Sequence, residues 1–284
     1  MRIKNINVNY AITIINGTRI NQYIFIFTIL AFLFVGCSSN NNTSNGNSEF
    51  HYSDGIAENG FWEGVRANDY VNVEKFMALQ IPSHVHYVSV EAIQSEIDDF
   101  LVYFDITESE LTDDFVADNL SEQSGWSTVN ELKEGLRYER QRDLIIIYVE
   151  QNLSTGELFK PIPDHLIEYI QRALIEEYRK LAEDNEMEIG ELLSQTVGVT
   201  SEEELLEKFY EGNISTLIYS LVAQAIAENE GIVINKEDLN EFMATNFGFE
   251  EYSLFENIYG KPFLTQLALF KKVVMFVVDN AVLE

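Results

Sequence analysis

A single cysteine, Cys37, among 284 residues rules out an intramolecular disulfide and any zinc site built on several cysteines. Positive charge is scarce too. Lys and Arg total 18 against 47 Asp and Glu, a formal net charge of −29. Arg2, Lys4 and Arg19 precede every acidic residue, so the chain after residue 36 carries 15 cations against 47 anions, a net of −32. A surface so acidic repels phosphate backbones, so neither nucleic acid nor a ribosome is an expected partner. Anionic lipid headgroups would not hold it by charge either. Motifs that carry chemistry are missing as well: there is no G-x-G-x-x-G, P-loop, G-x-S-x-G or H-E-x-x-H. No catalytic residue, no metal site and no cofactor is therefore predicted.

What is present begins with an uncharged apolar run, IFIFTILAFLFVG, over residues 24–36. It follows Arg2, Lys4 and Arg19 and has the length of a signal-peptide core, short of the roughly 20 residues needed to span a bilayer. It ends at Val35-Gly36-Cys37, and SSNNNTSNGNS follows. A small residue before a cysteine at the end of such a run resembles the bacterial lipobox, although Phe34 stands where Leu is usual and Leu33 lies one place early. That resemblance implies a signal peptide over 1–36, cleavage before Cys37, and a lipid on its thiol. An uncleaved signal anchor with a buried cysteine is the alternative. The Asn/Ser tract, read as a tether over 37–53, has nothing to bury and stays flexible.

The remainder, with 46% apolar residues in the whole chain, can build a real core. An extended segment is predicted around Ala78 to Val88, with Pro82 marking an edge. Helices follow. Ser89 caps one over Val90 to Tyr103, and Thr112 opens a short one. The Thr128–Glu131 capping box starts a long helix to Leu153, stopped near Gly156. Asp164 caps the next; Thr200 or Ser201 caps a helix running to the IAENE segment before Gly231; Asn235 caps KEDLNEFMATNF; and Pro262 opens the last. The predicted class is all-α with one minor extended segment.

Few residues invite a chemical reading. His84 and His86 alternate, so on a strand they would share a face, but no third ligand has the spacing of a metal site. His165 reads as a surface residue in a first helical turn. The acidic groups Asp113-Asp114, Glu176-Glu177 and Glu202-Glu203-Glu204 fall at helix N-termini or on polar faces, where carboxylates suit the helix dipole.

The order of the helical segments says more. ELTDDFVADNL, GWSTVNELKEGLR, the long helix, and IPDHLIEYIQRALIEEYRKLAEDNEMEIGELLSQTVGVTSEEELLEK resemble the C-terminal chaperone region of trigger factor. AIAENEGIVINKEDLNEFMATNFG and the last helix continue the match. Upstream, RANDYVNVEKFMALQIPSHVHYVSVEAIQSEIDDFL resembles the linker that leads into that family's isomerase domain. In the family an FKBP-type domain lies between that linker and the ELTDDF segment; here only the stretch from about Val102 to Ser109 joins them. The basic ribosome-docking domain has no counterpart either.

The resemblance implies an elongated multi-helix domain like the trigger factor C-terminal or SurA-like N-terminal region, with a linker strand and helix over 54–104 and the chaperone body over 105–284. It implies a membrane-anchored chaperone on the outer face of a Gram-positive cell, binding unfolded or nascent exported proteins without ATP, without isomerase activity. Nineteen Phe and fourteen Tyr supply apolar surface, and MATNFGFEEYSLFENIYG gathers Phe242, Met243, Phe247, Phe249, Tyr252, Phe255 and Tyr259 as candidate client contacts. Two other readings stay open: a surface lipoprotein that binds one fixed partner on an inherited scaffold, and a prolyl isomerase with an unrecognised site.

Overall fold

The computed structural model describes residues 50–284. Cys37, the apolar run and the tether before Phe50 lie outside the described residues. Among those described, helix dominates, as the all-α expectation requires. The chain forms two compact units whose limits cut across the division expected at residue 104.

Unit 1 comprises Gln80–Tyr148 and Val282–Glu284. β1 (Gln80–Ile81) leads into α1 (Ser83–His86), then α2 (Val90–Phe104), α3 (Asp113–Ser124) and α4 (Val129–Leu153), whose last turn belongs to unit 2. β2 (Val282–Leu283) returns from the C-terminus and pairs with β1 in parallel, Gln80 opposite Val282 and Ile81 opposite Leu283. The extended segment expected over Ala78 to Val88 thus shrinks to two residues. Pro82 offers no N–H to continue the ladder, and a helical turn begins at the next residue.

The caps in this unit work as the sequence demands. Ser89 accepts from the Ala92 N–H (3.2 Å), and Thr112 from that of Phe115 (3.2 Å). Glu131 donates its N–H to the Thr128 hydroxyl (3.1 Å) and accepts from the Thr128 N–H (3.0 Å), closing the box. Ile93, Ile97 and Phe100 of α2 pack with Val116 and Leu120 of α3 and Leu132 and Leu136 of α4 as one apolar core. Gly135 is needed on α4 because a Cβ there would lie 2.3 Å from the Trp126 ring.

The joint between α2 and α3 is a closed turn. Asp105 takes a left-handed conformation (φ 52°) that ends α2, and the Ile106 N–H returns to the Leu101 carbonyl (3.0 Å). The N–H and hydroxyl of Thr107 both donate to the Glu110 carboxylate (2.8 and 2.7 Å). These bonds hold the Glu110 carboxyl below its usual range, the Thr107 hydroxyl contributing most. Val102 to Phe104, counted with the joint from sequence, are the last turn of α2.

Unit 2 comprises residues 50–79 and Val149–Ala281. Its helices are α5 (Asp164–Asp184), α6 (Ile189–Thr196), α7 (Glu202–Lys208), α8 (Tyr210–Glu230), α9 (Lys236–Phe247), α10 (Ser253–Tyr259) and α11 (Lys261–Asn280). One helix was expected from Ser201 to Glu230; instead Phe209 separates α7 from α8. Asp164 is the first helical residue of α5, not its cap, because Pro163 occupies that place. α8 is buried on every side from Tyr219 to Ala227 and packs against α11 and α5, and the two polar members of that stretch, Ser220 and Gln224, are hydrogen-bonded.

The segment from residue 50 is integrated into this unit. Phe50 packs edge-on against Tyr52 (5.3 Å), and Tyr52 is buried, so the tether read to residue 53 gives way to packed chain by residue 50. Trp62 is pinned to α8: its backbone N–H donates to Gln224 Oε1 (2.8 Å) and its indole N–H to the Ser220 hydroxyl (3.0 Å). Gln224 Nε2 donates in turn to the Val65 carbonyl (2.8 Å) and to Glu228 (2.8 Å). Gly60, at φ 81°, lies so close to α11 that a Cβ would approach the Gln266 N to 2.8 Å. Among the described residues no helix is long and apolar enough to cross a membrane.

Candidate binding surface

The aromatic stretch of α9 and α10 divides between core and surface. Asn235 caps α9, accepting from the Asp238 N–H (2.9 Å), and Gly248 (φ 74°) ends it in the left-handed conformation. Phe242 and Met243 face inward from α9, and Phe255 and Tyr259 from α10. These four are core residues: the Tyr259 ring meets Tyr52 at 5.2 Å, and its carbonyl accepts from the Ser53 hydroxyl (2.9 Å). They are not available to a ligand without opening the unit. Phe247 is half-buried against Phe242 (5.6 Å), and Tyr252 is half-buried with its N–H on Asn240 (3.2 Å). Of the seven candidates, Phe249 is the most exposed, at 40%, with its ring edge-on to Phe255 (4.8 Å).

Two residues not singled out in the sequence are exposed on the helix that follows. Leu254 and Ile258, four apart on α10, are 62% and 47% exposed. The helix carries two such pairs, Leu254/Ile258 and Phe255/Tyr259, in adjacent rows. The aromatic pair enters the core and the aliphatic pair is left in solvent. Leu254 and Ile258 thus expose apolar side chains on this short helix, and Phe249 exposes another on the loop that leads into it.

Unit 1 has a surface of its own. An open cleft of about 490 Å³ is lined by Ser83, His86, Tyr87, Val88, Val90, Arg137 and Gln141. Tyr87 and Val90 are 70% and 71% exposed. His86, expected on a strand, lies on a helical turn and has both ring nitrogens engaged: the Gln141 amide contacts Nδ1 (2.9 Å), and Nε2 contacts the Glu284 carbonyl (3.3 Å). His84 shares that turn, and His165 is exposed in the first turn of α5. Among the described residues no cluster of His, Cys, Asp or Glu is arranged to hold a metal ion.

The acidic groups have local roles. Glu202 takes a two-pronged contact from Arg179 (Nε 2.8 Å, Nη2 2.9 Å), and Asp113 accepts from the Val129 N–H (2.8 Å). Glu177, expected on a polar face, is instead half-buried and accepts from the Tyr52 hydroxyl (3.2 Å). Burial pushes its carboxyl up to about 7, against the opposing pull of the Tyr52 bond and Lys180. Burial also pushes the Tyr52 and Tyr169 phenols up.

The model of the bacterial trigger factor C-terminus matches residues 118–279, more than half of the chain. The chain belongs to the trigger factor family. No curated protein and no solved structure matches it. The trigger factor match runs from within α3 almost to the end of α11, so it includes the surface on α10. Membership of this family supports a chaperone-like role and the binding of unfolded polypeptide. No isomerase domain accompanies the trigger factor region in the family match.

Proposed function

We propose that this trigger factor chain is a membrane-anchored chaperone that holds unfolded exported proteins passively on the outer face of the cell membrane. A lipid on Cys37 anchors it, and the Asn/Ser tract lets the folded units work near the bilayer. It takes no ATP, for which the sequence has no P-loop. It does not catalyse prolyl isomerisation, since α2 and α3 are joined by the turn at residues 105–112 where family members carry that domain.

The observation that carries this reading is the exposure of Leu254, Ile258 and Phe249 within the trigger factor region. Apolar surface that a client can exchange against is all that holding requires; it lowers the concentration of free aggregating chain by mass action.

The test is suppression of aggregation of a denatured, unrelated protein by the full chain in mild detergent, at near-stoichiometric ratio. Leu254→Ser with Ile258→Ser should raise the concentration needed by about ten- to thirtyfold, since each side chain forfeits roughly 1 kcal/mol of burial on the client. Melting should barely change, because both residues are exposed. The proline-limited refolding phase of a standard substrate should keep its rate. Protection of a single partner only would favour the fixed-partner lipoprotein instead.

A further inference from the structure

The unit 1 cleft combines apolar walls with a cation that is only partly engaged. Tyr87 and Val90 stand in solvent, while Val88 packs against the core of the unit. Opposite polar groups come from α4, Arg137 and Gln141. Gln141 is committed to His86. Arg137 is not fully committed: Nη1 reaches Glu134 (3.1 Å), but Nε is shut off from solvent and has no hydrogen-bond partner. The buried Nε is out of a ligand's reach, but the Arg137 side chain as a whole is 39% exposed, so the outer edge of the guanidinium can donate to a ligand's acceptor.

The surroundings of Arg137 are unusual for this chain. Lys133, Arg137, Arg140 and Arg142 place four of the 15 cations that follow residue 36 within ten positions of α4. Lys133, Arg137 and Gln141 recur at four-residue spacing, and Arg140 lies beside that row. Acids are present as well, Glu131, Glu134, Glu139 and Asp143 on α4 and Glu96 on α2; burial raises the Glu139 carboxyl, and the charges of Asp143 and Glu96 add to it. Glu91, in the first turn of α2, is bonded to Ser89.

We propose that this cleft binds an extended segment of an unfolded client in which one Asp or Glu side chain is flanked by apolar residues. The carboxylate accepts from Arg137, and the flanking side chains cover Tyr87 and Val90. This rests on the chaperone reading and names the client chemistry that one of its surfaces selects. Charge complementarity decides the occupant. A single carboxylate gains the Arg137 donor in a bond of the charge-assisted kind, a lysine meets a like charge, and a polyacidic segment is repelled by a chain of net charge −29. Because the cleft is open to solvent, a chain can cross it in mid-segment.

The test is fluorescence anisotropy of the full chain in mild detergent with labelled peptides whose centre reads Leu-Phe-Glu-Phe-Leu, or the same with Gln or Lys in place of Glu. The Glu peptide should bind about tenfold tighter than the Gln peptide and more tightly still than the Lys peptide, the preference fading with added salt. Arg137→Met should collapse the Glu–Gln difference, and Arg137→Lys should restore part of it. Val90→Ser, at an exposed position, should weaken the Glu and Gln peptides alike. Equal binding of these two peptides to the unaltered chain would overturn the proposal, as would a preference that follows a free C-terminal carboxylate. If aggregation suppression persists in either case, the chaperone reading stands and the cleft proposal alone falls; if neither suppression nor peptide binding is seen, both fall.

Discussion

Replacing Glu177 with glutamine should stabilise unit 2 at pH 8 and change little at pH 5. Glu177 on α5 accepts from the Tyr52 hydroxyl at 3.2 Å, and burial holds its carboxyl near 7 rather than 4.5. Between those two values the unfolded chain carries a carboxylate while the folded chain keeps the proton. Stability from this group is therefore complete below pH 4.5 and is lost as pH rises through about 7. At 1.36 kcal/mol per pH unit the full loss is roughly 3 kcal/mol, and solvent reaching the half-buried group reduces it to about 2. Glutamine can still accept from Tyr52 and has no charge to bury.

The assay is urea unfolding followed by tryptophan fluorescence in a Trp126→Phe background. Trp62 then reports alone, its ring 4.9 Å from that of Tyr169, whose hydroxyl donates to the Tyr52 carbonyl (2.6 Å). The stability gained by Glu177→Gln should grow by about 2 kcal/mol from pH 5 to pH 8. A gain that is the same at both pH values would mean that Glu177 ionises freely in the folded protein, and the reasoning would fail.

Gln224→Leu should cost about 2–5 kcal/mol in urea unfolding, because it leaves the buried Trp62 N–H and Val65 carbonyl without their partners. Cys37→Ala should abolish lipid attachment and processing, and intact-mass measurement of the wild-type chain should find Cys37 at its N-terminus; a mature chain starting elsewhere would refute the anchor. At physiological salt the protein should not co-sediment with ribosomes, since the chain after residue 36 carries a net charge of −32.

Much of the fold could be read from the chain because its signals are local. Ser89, Thr112, Thr128 and Asn235 each precede a helix whose first N–H groups need an acceptor, and each side chain supplies one within three residues. Gly231 and Gly248 end helices because a left-handed residue closes the last turn wherever that helix packs. The trigger factor resemblance, carried by the order of these segments, agrees with the family match over residues 118–279.

The binding surface was less legible, and α10 shows why. Its sequence SLFENIY sets Leu254/Ile258 and Phe255/Tyr259 in neighbouring rows, both apolar and both correctly spaced for a core. Which row is buried depends on what the helix meets, and Tyr259 meets Tyr52, more than two hundred residues earlier in the chain. Glu177 follows the same logic, a carboxylate on an acidic helix until Tyr52 is laid against it. The pairing of Gln80–Ile81 with Val282–Leu283 likewise joins segments about two hundred residues apart in the chain. Caps and turns depend on groups a few residues apart, so the sequence by itself determines them. Burial of one helix face over another, and the charge state of a carboxylate, are set by partners distant along the chain, and only the tertiary structure decides those.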